Sequence, residues 1–415
     1  MPARPLASGI VMNLLRSITT IASSSVISQL IGALSIWFIS HRYGMAEVGI
    51  YSLVYSIVLV GAQVCMFASQ LLIPRQPDAA QLARNVVFCA LQSMVVAVPW
   101  AVLTGWIFHL PVWLLYLLSF ANAMVLVAEN LALREGNYRF LTFQRIMVSV
   151  IVIASVLAAP GSGWFYVSWT VLLLLLIAWC IARTFDLRTV RASYFTPGNN
   201  LAFFREHRQH LFKVGSAEVL AMVNNNLPIM LVNFWFSALV AGYFSVVMRF
   251  CLSPVMIIGN AVRNSIFSKW SMDFRNHTFN YPEYKKIRLL LVVMGVVCTL
   301  GILIFYPLVM HLGFSKEWID SIPSSRYLAP YIFPALAISP LTVVELIFGS
   351  HRYFLRIQIE QLAIVLLGFL VVPWLGHSYA LALLTYSVLT LIRYMFILLQ
   401  MNKRAALLSE QMVRI

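Results

Sequence analysis

The sequence predicts an all-α integral membrane protein with about twelve transmembrane helices in two six-helix lobes. Of its 415 residues, 61% are hydrophobic and only 10% are charged, whereas about half of the residues of a soluble domain are apolar and about a quarter are charged. A spanning helix needs about twenty mostly apolar residues, and such stretches recur from Ser17 to Gln400. The connections between them are short, so the function is expected inside the helix bundle.

The apolar stretches place six predicted spans in each half of the chain. They cover residues 17–40, 48–73, 84–108, 112–133, 141–160 and 163–183, then 213–237, 239–262, 288–311, 327–350, 356–375 and 378–400. Connections such as Pro160–Gly163 and Gly376–Ser378 are little longer than a turn. The tail before the first span has no small-residue cleavage site, so this span is expected to remain in the mature protein.

The longest polar interruption, Thr184 to Phe212, divides the spans into two groups of six. We therefore predict an N-terminal lobe of residues 1–190, a cytoplasmic linker of residues 191–212 and a C-terminal lobe of residues 213–415. Because each half has an even number of spans, the repeat is expected to be parallel rather than inverted. The similar runs at residues 49–52 and 241–245 are a faint trace of that repeat.

The positive charges predict the orientation of the chain. The formal net charge is +15, but the basic residues are spread over many loops, which does not favour a nucleic-acid partner. With the N-terminus inside, Arg42, Lys316 and Arg326 face outward and Arg249 lies near a span centre, while the others of the 29 basic residues lie at cytoplasmic positions. Arg393 is the deepest of these and is expected to snorkel. Both termini are therefore predicted to be cytoplasmic.

The sequence contains no pattern that indicates enzymatic chemistry or a cofactor. Its five cysteines lie in apolar stretches without metal-ligand spacing and are interpreted as packing residues. The outward histidines, His41, His109, His311 and His377, sit singly in separate loops, and no zinc-protease, nucleophile-elbow, Walker or dinucleotide motif occurs. The largest predicted outward loop, residues 311–326, is small for a catalytic site. We expect no catalytic residue, no metal and no cofactor.

Arg249 is the most informative residue of the spans. An arginine at a helix centre costs about 2.5 to 3.5 kcal/mol on insertion scales, and such residues face protein or water rather than lipid. At about 100° per residue, Ser245, Arg249, Ser253 and Asn260 fall within one quadrant of a regular helix. Two interpretations are open: a cation in a hydrated cavity that attracts an anionic head group, or a buried ion pair with an acid of another helix.

Polar stripes also follow the first and seventh spans. Ser24, Ser28 and Ser35 share a face of the first, and Glu218 and Asn225 share a face of the seventh, beside Asn224. Hydroxyl and amide groups of this kind suit sugar recognition in a wet cavity, but they also join helices by hydrogen bonds.

Three glutamates lie near the cytoplasmic ends of their spans. Glu129 and Glu345 are expected to snorkel or to pair with the nearby Arg134 and Arg352. Glu218 is left open as a candidate for ion coupling.

Several short runs resemble one family of membrane transporters. Residues 41–52 resemble the first outward loop and second helix of bacterial polysaccharide flippases, and residues 240–245 and 248–250 with Pro254 resemble their eighth span. Residues 313–318 resemble the segment before the tenth. The chain is thus similar to the O-antigen and capsule flippases (the Wzx group) of the multidrug, oligosaccharidyl-lipid and polysaccharide (MOP) exporter superfamily.

This resemblance implies a V-shaped pair of lobes around a central cavity that opens in turn to cytoplasm and periplasm. The implied substrate is an undecaprenyl-diphosphate-linked oligosaccharide, with membrane lipids, a polysaccharide polymerase and chain-length proteins as the expected partners. Arg249 is the best match to the cationic residues thought to engage the diphosphate in that family, and Arg16 is a second. Taken together, the candidate substrate-binding residues are Arg16, Ser24, Ser28, Asn224, Asn225, Arg249, Ser253 and Asn260.

Two other functions are compatible with a polytopic helical membrane protein. A drug antiporter of the same superfamily is expected to carry an acidic ion site deep in one lobe, and no acid lies near a predicted span centre. A polymerase or ligase acting on lipid-linked oligosaccharide is expected to carry a large outward loop rich in arginine and histidine, which the predicted topology lacks.

Overall fold

The computed structural model describes residues 27–275, 278–313, 316–348 and 351–413. Nearly all of these residues are helical, and no strand occurs among them. The predicted all-α fold class is therefore confirmed.

The described residues of the first half of the chain form seven helices with short connections. They are α1 (27–43), α2 (Met45–Met66), α3 (Ala79–Phe108), α4 (Val112–Arg134), α5 (Tyr138–Ala158), α6 (Ser162–Thr184) and α7 (Pro197–Trp235). A 3₁₀ helix, Ser69–Arg75, joins α2 to α3, and two short 3₁₀ turns precede α7. Phe67 and Ala68 have positive φ angles of 44° and 65°, which end α2 sharply because side chains disfavour that region.

The second half has more and shorter helices. They are α8 (Ala238–Val247), α9 (Ser253–Arg275), α10 (Tyr281–Gly313), α11 (Lys316–Ile319), α12 (Ile322–Ala337), α13 (Val343–Phe348), α14 (His351–Leu366), α15 (Val372–Gly376) and α16 (Tyr379–Val413). π-Helical turns, Met248–Leu252 and Leu367–Val371, join α8 to α9 and α14 to α15 without a loop.

Nine of the twelve predicted spans fall on helices of the described residues that have the length and composition of a membrane span, and the bent pair Lys316–Ala337 and Ser339–Glu345 makes a tenth if it is one span. The predicted span 213–237 falls on α7, and the described part of the predicted span 17–40 falls on α1. Glu218 and the run Asn224–Asn226 are polar residues within α7.

The predicted span 327–350 is broken rather than continuous. Its two helical parts meet at 42° across a 3₁₀ turn, Ser339–Thr342, that contains Pro340. Proline lacks the N–H needed for the helical hydrogen bond, and its ring clashes with the preceding turn. The break therefore follows from the sequence, although a hydropathy pattern does not reveal it.

Polar caps fix where several helices begin. The carboxylate of Asp78 accepts from the backbone N–H of Gln81 at 2.7 Å, at the start of α3. Asn137 caps α5 in the same way, through the N–H of Phe140 at 3.1 Å. Such caps satisfy backbone donors that have no partner inside the helix.

The chain divides into two compact units. The first comprises the residues up to Glu47 and Leu53–Asn226, and the second comprises Val48–Ser52 and the residues from Leu227 onward. The two glycine-containing runs of the predicted repeat, residues 49–52 and 241–245, thus both lie in the second unit. A Cβ atom on Gly49 would lie 1.7 Å from the carbonyl oxygen of Ala238 and 2.9 Å from the nitrogen of Gly242, so the two backbones pack closely there.

The predicted lobe boundaries, residues 190 and 213, stay a prediction. In the structure α7 begins at Pro197, so most of the predicted linker 191–212 is helical and continuous with the seventh span. Its apolar positions Phe203 and Leu211 are buried, which explains why this polar stretch forms a helix.

Candidate substrate-binding site

Arg249 lies on the π-helical turn Met248–Leu252. The apolar helix that contains this turn extends from Ala238 to Arg263, which places Arg249 near the middle of the span, as predicted. Its side chain is half-buried. π-Helical turns in otherwise regular helices are frequent at functional sites, because the extra residue changes which side chains face a given direction.

The π-helical turn lies within the polar stripe that the sequence predicts. The hydroxyl of Ser253 donates to the carbonyl of Met248 at 3.3 Å, so Ser253 lies above Met248 instead of Arg249. The extra residue rotates Ser253 and Asn260 by about 100°, from one side of Ser245 to the other, so all four residues still lie within about 90° of one another around the helix. Ser245 is buried and donates to the carbonyl of Ala241 at 2.8 Å, whereas Asn260 is exposed.

Aromatic side chains pack around this irregular region of the second unit. The Phe250 ring meets that of Trp318 edge to face, with centroids 5.5 Å apart. Phe244 contacts Phe369, on the second π-helical turn, at 5.8 Å, and Phe369 contacts Tyr386 at 5.0 Å. Aromatic contacts thus lie at each of the two π-helical turns.

The asparagines of α7 do not share one environment. Asn224 and Asn226 are buried, and the amide of Asn226 donates to the carbonyl of Met222 at 2.9 Å. Asn225 and Glu218 are exposed, in agreement with their predicted common face. Asn225 and Glu218 are accessible to a ligand, whereas Asn226 bonds to its own helix.

The first predicted stripe is described only in part. Ser28 is half-buried in α1, and Ser35 is buried and donates to the carbonyl of Ile31 at 2.8 Å. Arg16 and Ser24 lie outside the described residues, so their roles stay predictions. A hydrogen bond from a serine hydroxyl to a carbonyl of its own helix, as at Ser35, satisfies the hydroxyl without a water-filled cavity.

The second unit contains an ion-pair cluster that the sequence analysis missed. Glu360 on α14 pairs with Arg393 on α16, and its other oxygen accepts from the Nε of Arg356 at 2.7 Å. The side chain of Arg393 is 17% exposed and is neutralised by this acid of the neighbouring helix, a partner that the sequence analysis did not predict. The sequence could have indicated this ion pair, because Glu360 and Arg393 lie at matching depths of two adjacent predicted spans.

Two glutamates that the sequence analysis singled out, Glu129 and Glu345, also pair with arginines. Glu129 accepts from the Nε of Arg145 on α5 at 2.9 Å. Glu345 lies 3.9 Å from the Nε of Arg404 on α16. Both partners belong to other helices, and sequence proximity alone favoured Arg134 and Arg352.

A polar cluster in the first unit surrounds the end of α2. The carbonyl of Met66 accepts from the Oγ of Ser69 at 2.7 Å and from the amide of Gln92 at 3.1 Å. The Sγ of Cys89 lies 3.3 Å from the Oγ of Ser69. These bonds join α2, the 3₁₀ helix and α3, and they satisfy a carbonyl that the positive φ angles of Phe67 and Ala68 leave outside the regular helix.

The candidate residues are divided between the two units. Ser28, Glu218, Asn224 and Asn225 belong to the first. Arg249, Ser253 and Asn260 belong to the second. Their convergence on one binding site stays a prediction.

The comparisons with known proteins bear on the fold. No family model matches the sequence, and no curated protein sequence does. Among solved structures, the chain is similar to the lipid II flippase MurJ in an inward closed conformation, with a TM-score of 0.72, 13% identity, and coverage of 95% of this chain and 90% of MurJ. It is also similar to an inward-facing multidrug resistance MATE transporter of the MOP superfamily, with a TM-score of 0.67, 12% identity, and coverage of 95% and 99%.

A third structure gives the same result. A MOP-superfamily transporter from Pyrococcus furiosus matches with a TM-score of 0.59 and 12% identity over 94% of this chain and 96% of its own length. At such identities the likeness is one of fold, and it extends over almost the whole of each chain. The protein is a multi-pass membrane protein with the fold of the MOP-superfamily transporters.

Proposed function

We propose that this protein is a flippase that moves an undecaprenyl-diphosphate-linked oligosaccharide, an O-antigen or capsule repeat unit, from the cytoplasmic to the periplasmic leaflet. It would act by alternating access in a bacterial inner membrane, with both termini cytoplasmic, and without catalysing a covalent reaction. The observation that carries the proposal is a half-buried arginine, Arg249, on a π-helical turn near the middle of an apolar span. A polysaccharide polymerase and chain-length proteins are the expected partners.

The physical reasoning starts from the substrate. A diphosphate with several sugars does not cross about 30 Å of hydrocarbon unaided, because each polar group would lose its hydrogen bonds to water. A guanidinium supplies charged hydrogen-bond donors with the geometry that phosphate oxygens require. In this proposal Arg249 engages the diphosphate, while Ser28, Asn224, Asn225, Ser253 and Asn260 serve the polar head group.

A cation-coupled drug antiporter is the second candidate, because a MATE transporter shares the fold. Such coupling is commonly carried by a membrane-embedded carboxylate that exchanges its cation or proton. Here Glu129, Glu345 and Glu360 each have an arginine partner, which opposes their release for coupling. In this alternative Glu218 would carry the coupling cation or proton, and the Glu218→Gln variant tests that role.

Deletion of the gene distinguishes the two candidates. For the flippase, we expect surface polysaccharide to disappear and lipid-linked repeat units to accumulate on the cytoplasmic face. Unchanged surface polysaccharide, together with increased sensitivity to cationic drugs, would instead support the antiporter.

Complementation of this deletion tests Arg249. We expect Arg249→Ala to be inserted normally but to leave surface polysaccharide at a small fraction of the wild-type amount. Arg326→Ala is the matched control, because Arg326 is an exposed arginine of the same unit on α12. Wild-type surface polysaccharide from a well-expressed Arg249→Ala protein would remove Arg249 from the proposed site.

A further inference from the structure

Residues 183–213, here called the linking segment, join α6 to the apolar part of α7. One face of the segment is fixed to the first unit. Phe203 and Leu211 are buried against Leu72 and Phe88, and the rings of Phe88 and Phe203 lie 4.6 Å apart. The start of α7 is therefore a docked helix and not a free loop.

Arg84 on α3 reinforces this docking. Its guanidinium donates to the carboxylate of Glu206 at 3.2 Å and to the carbonyl of Asn199 at 3.4 Å. The same guanidinium lies over the ring of Phe203, 5.2 Å from the centroid. Three contacts from one arginine thus determine which side of the helix faces the first unit.

A different face of the docked helix carries a mixed stripe. Leu201, Arg205, Arg208 and Phe212 follow one another at intervals of four, three and four residues, so they lie within about 60° of one another around the helix. All four side chains are exposed, Leu201 by 50% and Phe212 by 58%. Two arginines are thus flanked by two large apolar side chains on one accessible surface.

The rest of the linking segment has the same character. Leu187 and Phe195 are 61% and 55% exposed. The other exposed basic residues of the segment are Arg183, Arg188, Arg191 and Lys213. Its acids are Asp186 and Glu206, and Glu206 is already paired with Arg84. The accessible surface therefore combines an excess of positive charge with isolated apolar side chains.

The position of the linking segment indicates what surrounds its exposed side chains. It begins where the apolar helix Ser162–Thr184 ends, so its exposed side chains lie at the boundary between lipid and water. A helix with apolar and basic residues on its accessible side binds at this boundary, the apolar side chains entering the acyl region and the basic ones meeting anionic lipid head groups.

We infer that the stripe Leu201–Arg205–Arg208–Phe212, with Leu187 and Phe195, is a binding surface for the phosphate head groups of anionic phospholipids. The lipids belong to the leaflet at which α6 ends. The arginines bind the phosphates, and the four apolar side chains insert beside them. This surface lies entirely in the first unit and does not depend on the proposed transport substrate.

Hydrogen–deuterium exchange of the full-length protein tests the inference. The protein is placed in nanodiscs of phosphatidylcholine alone and of phosphatidylcholine mixed with phosphatidylglycerol. We expect the amides of residues 201–213 to exchange about fivefold more slowly, or slower still, in the anionic nanodiscs, and added salt to reduce this difference.

Two double variants test whether the anionic lipid binds at the arginines of the stripe. Arg205→Gln with Arg208→Gln should abolish the lipid dependence, whereas Lys285→Gln with Lys286→Gln, at two exposed lysines of the second unit, should retain it. The melting temperatures in neutral nanodiscs show that both variants fold. Equal exchange in the two lipids, as expected if the stripe binds a protein instead, would overturn the inference, and so would protection that persists in the double-arginine variant.

Discussion

The two units of this protein differ in how their apolar helices accommodate polar groups. In the first unit the spanning helices are regular, and the polar side chains mostly bond to a carbonyl of their own or an adjacent helix, as Ser69 and Gln92 do. In the second unit two spans contain π-helical turns and a third is bent by 42°. The difference indicates that the second unit has the irregular backbone that suits a site for an anionic ligand.

The largest expected effect concerns the charges of the second unit. Glu360→Gln leaves Arg393 without its carboxylate, whereas Arg393→Ala leaves Glu360 with Arg356 as a remaining partner. We expect Glu360→Gln to destabilise the protein by about 3 to 5 kcal/mol, because an uncompensated charge remains, and Arg393→Ala to destabilise it less. Thermal unfolding in detergent measures this.

The double variant Glu360→Gln with Arg393→Gln serves as the control for this pair. It should recover part of the loss, because both charges are removed together. If the effects of the two single variants simply add, the charges of the second unit do not act as a pair, and the contrast between the units weakens.

The close approach at Gly49 predicts the next effect. Gly49→Ala places a Cβ against the backbone of Ala238, which must move, and we expect a loss of about 1 to 3 kcal/mol from overpacking. Gly163→Ala is the matched control, because a Cβ there meets nothing within 4 Å. Equal melting temperatures of the two variants would show that the backbones do not pack closely at residues 48–52.

A smaller effect is expected for the regular helices of the first unit. The indole N–H of Trp100 donates to the carbonyl of Ile57 at 3.1 Å. Trp100→Phe should cost about 1 kcal/mol for the lost hydrogen bond, with some further loss of packing. A loss as large as that of Glu360→Gln would contradict the view that single hydrogen bonds of the first unit are energetically modest. The same thermal unfolding experiment gives both values.

The smallest expected effect is one of pH on the docked start of α7. Burial, with the charges of Arg75 and His207, lowers the pKa of His210 from 6.5. Because the pKa of His210 is higher in the undocked helix than in the docked one, lowering the pH through 6.5 should favour undocking. Hydrogen exchange of residues 201–213, corrected for intrinsic rates, should rise between pH 7.5 and pH 5.5.

His210→Gln provides the control for this pH effect. The glutamine variant should lose most of the difference. An unchanged difference in the variant would show that His210 does not cause the effect.

The sequence predicted the parts of this fold that depend on hydropathy. The all-helical class, the mid-span position of Arg249 and nine of the twelve spans, or ten if the bent pair is one span, follow from apolar stretches and their lengths. The π-helical turn at Met248–Leu252 did not, because a one-residue insertion leaves the hydropathy of a span unchanged. The prediction therefore placed Ser253 and Asn260 about 100° from their positions around the helix, although they stay within one quadrant with Ser245 and Arg249.

Pairing between distant helices was the second limit. Arg145, Arg393 and Arg404 bind acids that lie 16, 33 and 59 residues away in the chain. The sequence suggests local partners, and only the packing of the helices decides which charges meet. For the candidate site, the chemistry of each residue was readable, but its neighbours were not.

Binding of lipid-linked substrate to the purified protein tests the central claim most directly. Undecaprenyl-diphosphate-linked oligosaccharide is titrated into the wild-type protein, Arg249→Ala and Arg326→Ala in neutral nanodiscs. The account predicts that Arg249→Ala binds at least about tenfold more weakly, as the loss of one charge-assisted contact implies, while Arg326→Ala binds like the wild type. Equal affinities of the wild type and a folded Arg249→Ala protein would contradict it.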